Sequence, residues 1–115
     1  MNMNLIDKQK LLVKCLANLL EFAHTRGYEF TLGDAYRDTR THGKFGESKG
    51  YGHKNSNHKR RLAIDLNLFK NNIYLIDTKD HEPLGIYWES LHPLCAWGGR
   101  FEDGNHYSIE HEGMK

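Results

Sequence analysis

The segment at 62–68, LAIDLNL, constrains this chain more than any other. Leu62, Ile64, Leu66 and Leu68 fall on one face and Ala63, Asp65 and Asn67 on the other. That period of two marks a strand with one buried face and one polar face. Such a strand needs neighbours, and Ile73-Tyr74-Leu75-Ile76 is placed to supply one. The intervening Asn71-Asn72 suits a tight hairpin turn.

Around this strand the pattern changes period. Residues 4–25 read as an amphipathic helix, with Leu5, Leu12, Leu16, Leu19, Leu20 and Ala23 at helical spacing and Lys8, Lys10, Lys14 and Glu21 left for solvent. Asn4 is the expected N-cap, Asp7 favours the first turn, and Gly27 ends the helix. A short strand is expected over 28–36, around Phe30 and Leu32. Residues 38–57 read as a long loop with Gly43, Gly46, Gly50 and Gly52, long enough to imply a functional role. A second helix is predicted over 83–95 from Pro83 and the apolar Ile86, Trp88, Leu91 and Leu94, although Pro93 fits poorly inside it. Trp97-Gly98-Gly99 breaks that helix, and His106 to Glu110 reads as a last strand with Tyr107 and Ile109 facing the core.

Strands and helices in this order, within 115 residues, predict a single domain, 1–115, of the α+β class: a small antiparallel sheet with flanking helices. The formal net charge of +1 does not favour nucleic acid as a partner. No apolar run approaches the ~18 residues that a membrane span requires. The N-terminus lacks the order of a secretory leader, which predicts synthesis in the cytoplasm. Cys15 and Cys95 both sit in apolar stretches and are expected to be buried thiols rather than a disulfide framework. The chain is expected to act as a monomer.

Histidine is the outlier, with eight copies, and spacing must select among them. Asp65 interrupts a strand built for burial, and a carboxylate there is costly without a cation or donors. His58 lies at the end of the glycine-rich loop that feeds this strand, and His106 starts another strand. Two imidazoles and one carboxylate make the three-ligand set of a catalytic zinc site with a fourth position for water. Asp103 stands three residues before His106, across Gly104, where a second carboxylate would serve as general base. Arg37, at the end of the early strand, would hold a substrate carboxylate or a developing oxyanion. Each residue also has a plainer reading: a surface histidine, a hydrogen-bonded buried aspartate, a turn aspartate beside glycine, or a surface ion pair.

Together these residues form a familiar arrangement. Ser56-Asn57-His58-Lys59-Arg60-Arg61-Leu62-Ala63-Ile64-Asp65 resembles the S-x-H-x-x-G-x-A-x-D motif of the zinc D-Ala-D-Ala carboxypeptidases and of the L-alanyl-D-glutamate endopeptidases related to them. Asp103-Gly104-Asn105-His106 resembles that family's second motif, a carboxylate three residues before a histidine. Tyr36-Arg37 matches its early arginine. Asp103 in place of glutamate, with Trp97-Gly98-Gly99 just upstream, looks like the phage endolysin branch. The resemblance covers about residues 28–110. It implies the hedgehog/DD-peptidase fold, zinc on His58, Asp65 and His106, and Asp103 as catalytic base. It further implies Arg37 as a substrate or oxyanion contact and Ser56 as a supporting hydrogen-bonding residue. The substrate implied is the peptidoglycan stem peptide, with the L-Ala–D-Glu bond favoured over D-Ala–D-Ala. The enzyme would then reach the wall after release by a separate factor. One position departs from the motif, where Arg61 replaces glycine.

Two other classes compete. His53-Lys54-Asn55-Ser56-Asn57-His58 resembles the clusters of metal-dependent nucleases in composition, and Lys59-Arg60-Arg61 is able to touch phosphates. Near-neutral charge and the Asp103–His106 pairing fit that class poorly. A cell-wall-binding module that has lost catalysis is the other, and the filled functional positions argue against it.

Overall fold

The computed structural model describes residues 3–33 and 60–115. Helix α1 spans Leu5–His24. Its start is set by Asn4, whose side-chain oxygen accepts from the Asp7 amide at 2.8 Å, satisfying one of the amides that a helix start leaves open. Asp7 in the first turn and His24 in the last suit the helix dipole. Leu12, Cys15, Leu19 and Ala23 form its buried stripe. The chain then turns at Gly27, whose φ of +87° is costly for any residue with a Cβ.

Strand β1, Tyr28–Leu32, runs antiparallel to β2, Ala63–Lys70, with Leu32 opposite Leu66. At Asn71 and Asn72 the backbone takes φ of 53° and 62°. Positive values at both central residues are what a tight, right-twisted hairpin needs, and asparagine tolerates them better than most residues. Strand β3, Ile73–Leu75, returns along β2. The remaining strands, β4 (Cys95–Trp97) and β5 (His106–Ile109), complete a five-stranded sheet of order β1-β2-β5-β4, with β3 paired to β2 beside that path. All the pairings are antiparallel. With α1 and α2 (Glu82–Leu91) flanking it, this is the expected α+β architecture.

The second helix departs from expectation. It is preceded by a 3-10 turn at Thr78–His81, carries Pro83 in its first turn and stops at Leu91. His92 is extended, with φ −164° and ψ 147°, as the residue before a proline prefers. The apolar residues beyond Pro93 therefore continue as a strand: Cys95, Ala96 and Trp97 are β4, paired with Ile109, Ser108 and Tyr107. The last strand ends at Ile109 rather than Glu110. Residues 34–36 of the first expected strand and the loop at 38–57 lie outside the described residues.

The core lies between α1, α2 and the apolar face of the sheet. Leu19, Leu62, Leu66, Leu68, Leu84, Trp88, Tyr107 and Ile109 are fully buried. The buried Trp88 indole donates to the Ser108 carbonyl at 3.0 Å. Cys15 and Cys95 are both buried free thiols, as expected, with their sulfurs 3.6 Å apart. Among the described residues no helix is long and apolar enough to cross a membrane.

One polar pair sits inside this core. His81 and Tyr107 share a 2.8 Å hydrogen bond between Nδ1 and the phenol oxygen. Burial lowers the His81 pKa from 6.5 to about 4, against a smaller opposing effect of Asp80. The folded protein thus holds a neutral imidazole where the unfolded chain would protonate. Between pH 6.5 and about 4 the unfolded state binds the extra proton, so stability must fall as pH falls through that window and level off below it. The loss is at most about 3 kcal/mol, at ~1.36 kcal/mol for each tenfold change in proton affinity. We expect His81→Gln to lack this component: urea unfolding at several pH values should show a shallower stability decline for the variant than for the wild type between pH 6.5 and 4.

Candidate metal centre and active site

Asp65 sits in the central strand with a neighbour on each side. On one side its carbonyl accepts from the Gly33 amide at 2.8 Å. On the other, the β2–β5 register sets Asp65 directly opposite His106. The bonds Leu66 N to Asn105 O (2.9 Å) and Ile109 N to Leu62 O (2.8 Å) mark the hydrogen-bonded positions of this ladder. Asp65 and His106 therefore fall at a non-hydrogen-bonded position, where facing side chains come closest. Asp65 Oδ1 lies 3.4 Å from His106 Nδ1, and the two side chains are 14% and 8% exposed.

Asp103 reaches the same imidazole from the other direction. After β4 the chain makes a 3-10 turn at Gly98–Phe101, then reverses through Glu102 with φ 63°. Asp103 N donates to Gly98 O at 2.8 Å and His106 N to Asp103 O at 3.1 Å. This tight turn sets Asp103 Oδ2 4.0 Å from His106 Nδ1, with the Asp103 side chain 53% exposed. A largely buried Asp–His pair is thus flanked by a second carboxylate open to solvent. A cavity of about 180 Å³, lined in part by Asn67, Tyr74, Ile76 and Asn105, opens beside Asp103.

The turn is held by residues whose roles were not apparent from sequence. Gly98 has no room for a side chain: a Cβ would collide with the Asp103 carbonyl and lie 2.7 Å from His106 Cβ. The Trp97 indole donates to Gly104 O at 2.7 Å, and Thr78 Oγ1 accepts from Gly104 N at 3.2 Å. That indole needs glycine at two neighbouring positions, since a Cβ on Gly85 or Gly99 would collide with ring atoms. Glu89 holds the start of the turn, accepting from Trp97 N at 3.2 Å and pairing with Arg100 at 2.7 Å. Trp97-Gly98-Gly99 was visible as a motif; its structural use depends on contacts with Gly85, Gly104 and Thr78 that no local pattern encodes.

The two described donors, Asp65 and His106, are spaced as a zinc ion requires of neighbouring ligands. Zinc bonds of about 2.0–2.2 Å at the tetrahedral angle separate neighbouring ligand atoms by roughly 3.3–3.6 Å, and the Asp65–His106 separation falls in that range. His106 Nε2, the other ring nitrogen, lies 3.3 Å from the Lys115 oxygen. Of the residues singled out by sequence, the fold brings together Asp65, Asp103 and His106. His58, Arg37 and Ser56 lie outside the described residues. Among the described residues no three His, Cys, Asp or Glu side chains form a complete metal-binding group.

The packing of Gly98 is directly testable. We expect Gly98→Ala to cost about 1–3 kcal/mol in urea unfolding, the usual range for forcing an extra methyl group into a filled space. It should also shift the His106 ring resonances. A variant with wild-type stability and unchanged His106 signals would show that the turn has room.

No curated protein matches the chain in a sequence comparison. A family model described as D-alanyl-D-alanine carboxypeptidase matches residues 49–109. That span takes in β2, β4, β5 and the turn before His106, together with Ser56, His58, Asp65, Asp103 and His106; Arg37 precedes it. With more than half its length matched, the chain belongs to the D-alanyl-D-alanine carboxypeptidase family of peptidases.

Proposed function

We propose that this protein is a zinc peptidase that hydrolyses the peptide stem of peptidoglycan. The observation that carries this reading is the convergence of the Asp65 and Asp103 carboxylates on one nitrogen of His106, at 3.4 and 4.0 Å. Asp65 and His106 would hold the metal with His58 as third ligand. Zinc supplies Lewis acidity when bound: it acidifies water and polarises a peptide carbonyl. The protein's own groups do the rest. Asp103, the more exposed carboxylate, takes the proton of the attacking water and returns it to the leaving amine. Arg37 holds a substrate carboxylate or the developing oxyanion, and Ser56 supports the ligand segment by hydrogen bonding. The burial of Asp65 and His106 strengthens every electrostatic contact made there.

The division of roles predicts distinct losses. Asp65→Ala and His106→Ala should reduce bound zinc well below one per chain. Asp103→Ala should keep zinc while hydrolysis falls roughly a hundred- to ten-thousand-fold, the usual contribution of a positioned base. Metal analysis of the purified variants beside a stem-peptide assay separates these outcomes. Equal metal loss in Asp103→Ala would make Asp103 a ligand instead.

For the bond cut, we favour L-Ala–D-Glu, as in an endolysin-type enzyme. Support for it comes from Asp103, an aspartate rather than a glutamate three residues before His106, with Trp97-Gly98-Gly99 just upstream. Cleavage of D-Ala–D-Ala is the second reading, favoured by the description of the matching family. Mass spectrometry of digested stem peptides should show separation of L-Ala from the remaining peptide. Release of free D-Ala with the L-Ala–D-Glu bond intact would establish the second reading.

A further inference from the structure

Asn67 stands two residues beyond Asp65 on β2, so the two side chains share one face of the sheet. The register sets Thr31 of β1 opposite Asn67, and Asn67 Nδ2 lies 3.2 Å from Thr31 Oγ1. On its other side the Tyr74 hydroxyl lies 3.5 Å from Asn67 Oδ1. The Tyr74 ring is half exposed, yet it is held by stacking on Phe69, its partner across β2 and β3, with ring centroids 5.1 Å apart. Three strands thus fix one amide between two hydroxyls.

An asparagine amide has two N–H donors and two acceptor lone pairs. Each hydroxyl can donate or accept, so the two contacts use one donor and one acceptor whichever way the amide is turned. One N–H and one lone pair remain, and no other described group bonds them. Asn67, Tyr74 and Asp103 line the same cavity. A remaining donor and acceptor suit a peptide backbone, in which each residue offers one C=O and one N–H. Two residues along β2 span roughly 7 Å, and two residues of an extended peptide span about the same. A substrate whose scissile bond lies at Asp65 and Asp103 therefore brings a neighbouring peptide unit to Asn67. We propose, on the zinc peptidase reading above, that Asn67, held by Thr31 and Tyr74, is a substrate-binding residue that bonds the stem-peptide backbone next to the scissile bond.

Two substrates give the test: a stem tetrapeptide, and the dipeptide around the bond that is cut, which has no neighbouring peptide unit. The variants are Asn67→Ala and Asn67→Val, the second chosen because valine suits a strand. The preference for tetrapeptide over dipeptide, as a ratio of kcat/KM, should fall roughly 10-fold in both, the loss expected for one or two neutral hydrogen bonds. That loss should appear in KM rather than kcat, since the contact is made equally in the ground and transition states. Bound zinc should match the wild type. An unchanged preference in both variants, or an equal loss on both substrates, would overturn the proposal. A second measurement reads binding without turnover: the Asn67 side-chain amide signals in Asp103→Ala should move when the tetrapeptide is added. Signals that stay still at saturating tetrapeptide would also overturn it. If the wild type cleaves neither substrate while those signals move with the tetrapeptide and not with the dipeptide, the peptidase reading falls and Asn67 stands as a peptide-binding residue.

Discussion

The site depends on one register: Asp65 of β2 opposite His106 of β5. Side chains alternate along a strand, so a slip of one residue would turn Asp65 into the core and Leu66 out of it. Leu62, Leu66 and Leu68 are fully buried on one face, and each would have to be exposed for that slip to occur. The same four-residue apolar pattern that makes the core therefore aims the carboxylate. On the far side, the Gly33 amide bonds the Asp65 carbonyl and pins the strand again. Fold and chemistry share a single alignment here, so the carboxylate's placement is as stable as the core itself.

Two histidines show how burial is used in opposite ways. His81 is paired with the Tyr107 hydroxyl inside the core, where a charge would be costly and a neutral ring suffices. His106 is nearly as buried but faces two carboxylates, surroundings that call for a cation. The difference lies in the partner's charge rather than in depth. Tyr107 connects the two, since it follows His106 in β5 and presents its ring to the opposite face. Its own ionisation is pushed up by burial.

Much of this was legible in sequence because the signals were local. Asn4 before an apolar stripe gave the helix start, and Asn71-Asn72 between two apolar runs gave the hairpin. LAIDLNL gave the central strand and the unusual place of Asp65. The carboxylate three residues before His106 was readable because a tight turn makes near neighbours in sequence near neighbours in space. The helix at 83–95 was overextended because its apolar spacing runs on past Pro93, and only pairing with β5 distinguishes Cys95–Trp97 as a strand. Gly98 could not be read at all, since a glycine required by close packing looks the same in sequence as one required by a turn.

Trp97 carries a wider consequence. Its indole fills the space that side chains at Gly85 and Gly99 would need, while its N–H holds the Gly104 carbonyl. The three positions are therefore locked as a unit. A larger residue at 85 is tolerable only with a smaller one at 97, and a smaller residue at 97 releases the loop that aims Asp103. Drift at any one site is blocked until the others change with it, so divergent relatives should vary at these positions together or not at all. A residue with no part in the chemistry thereby sets how freely the chemistry's neighbourhood can evolve.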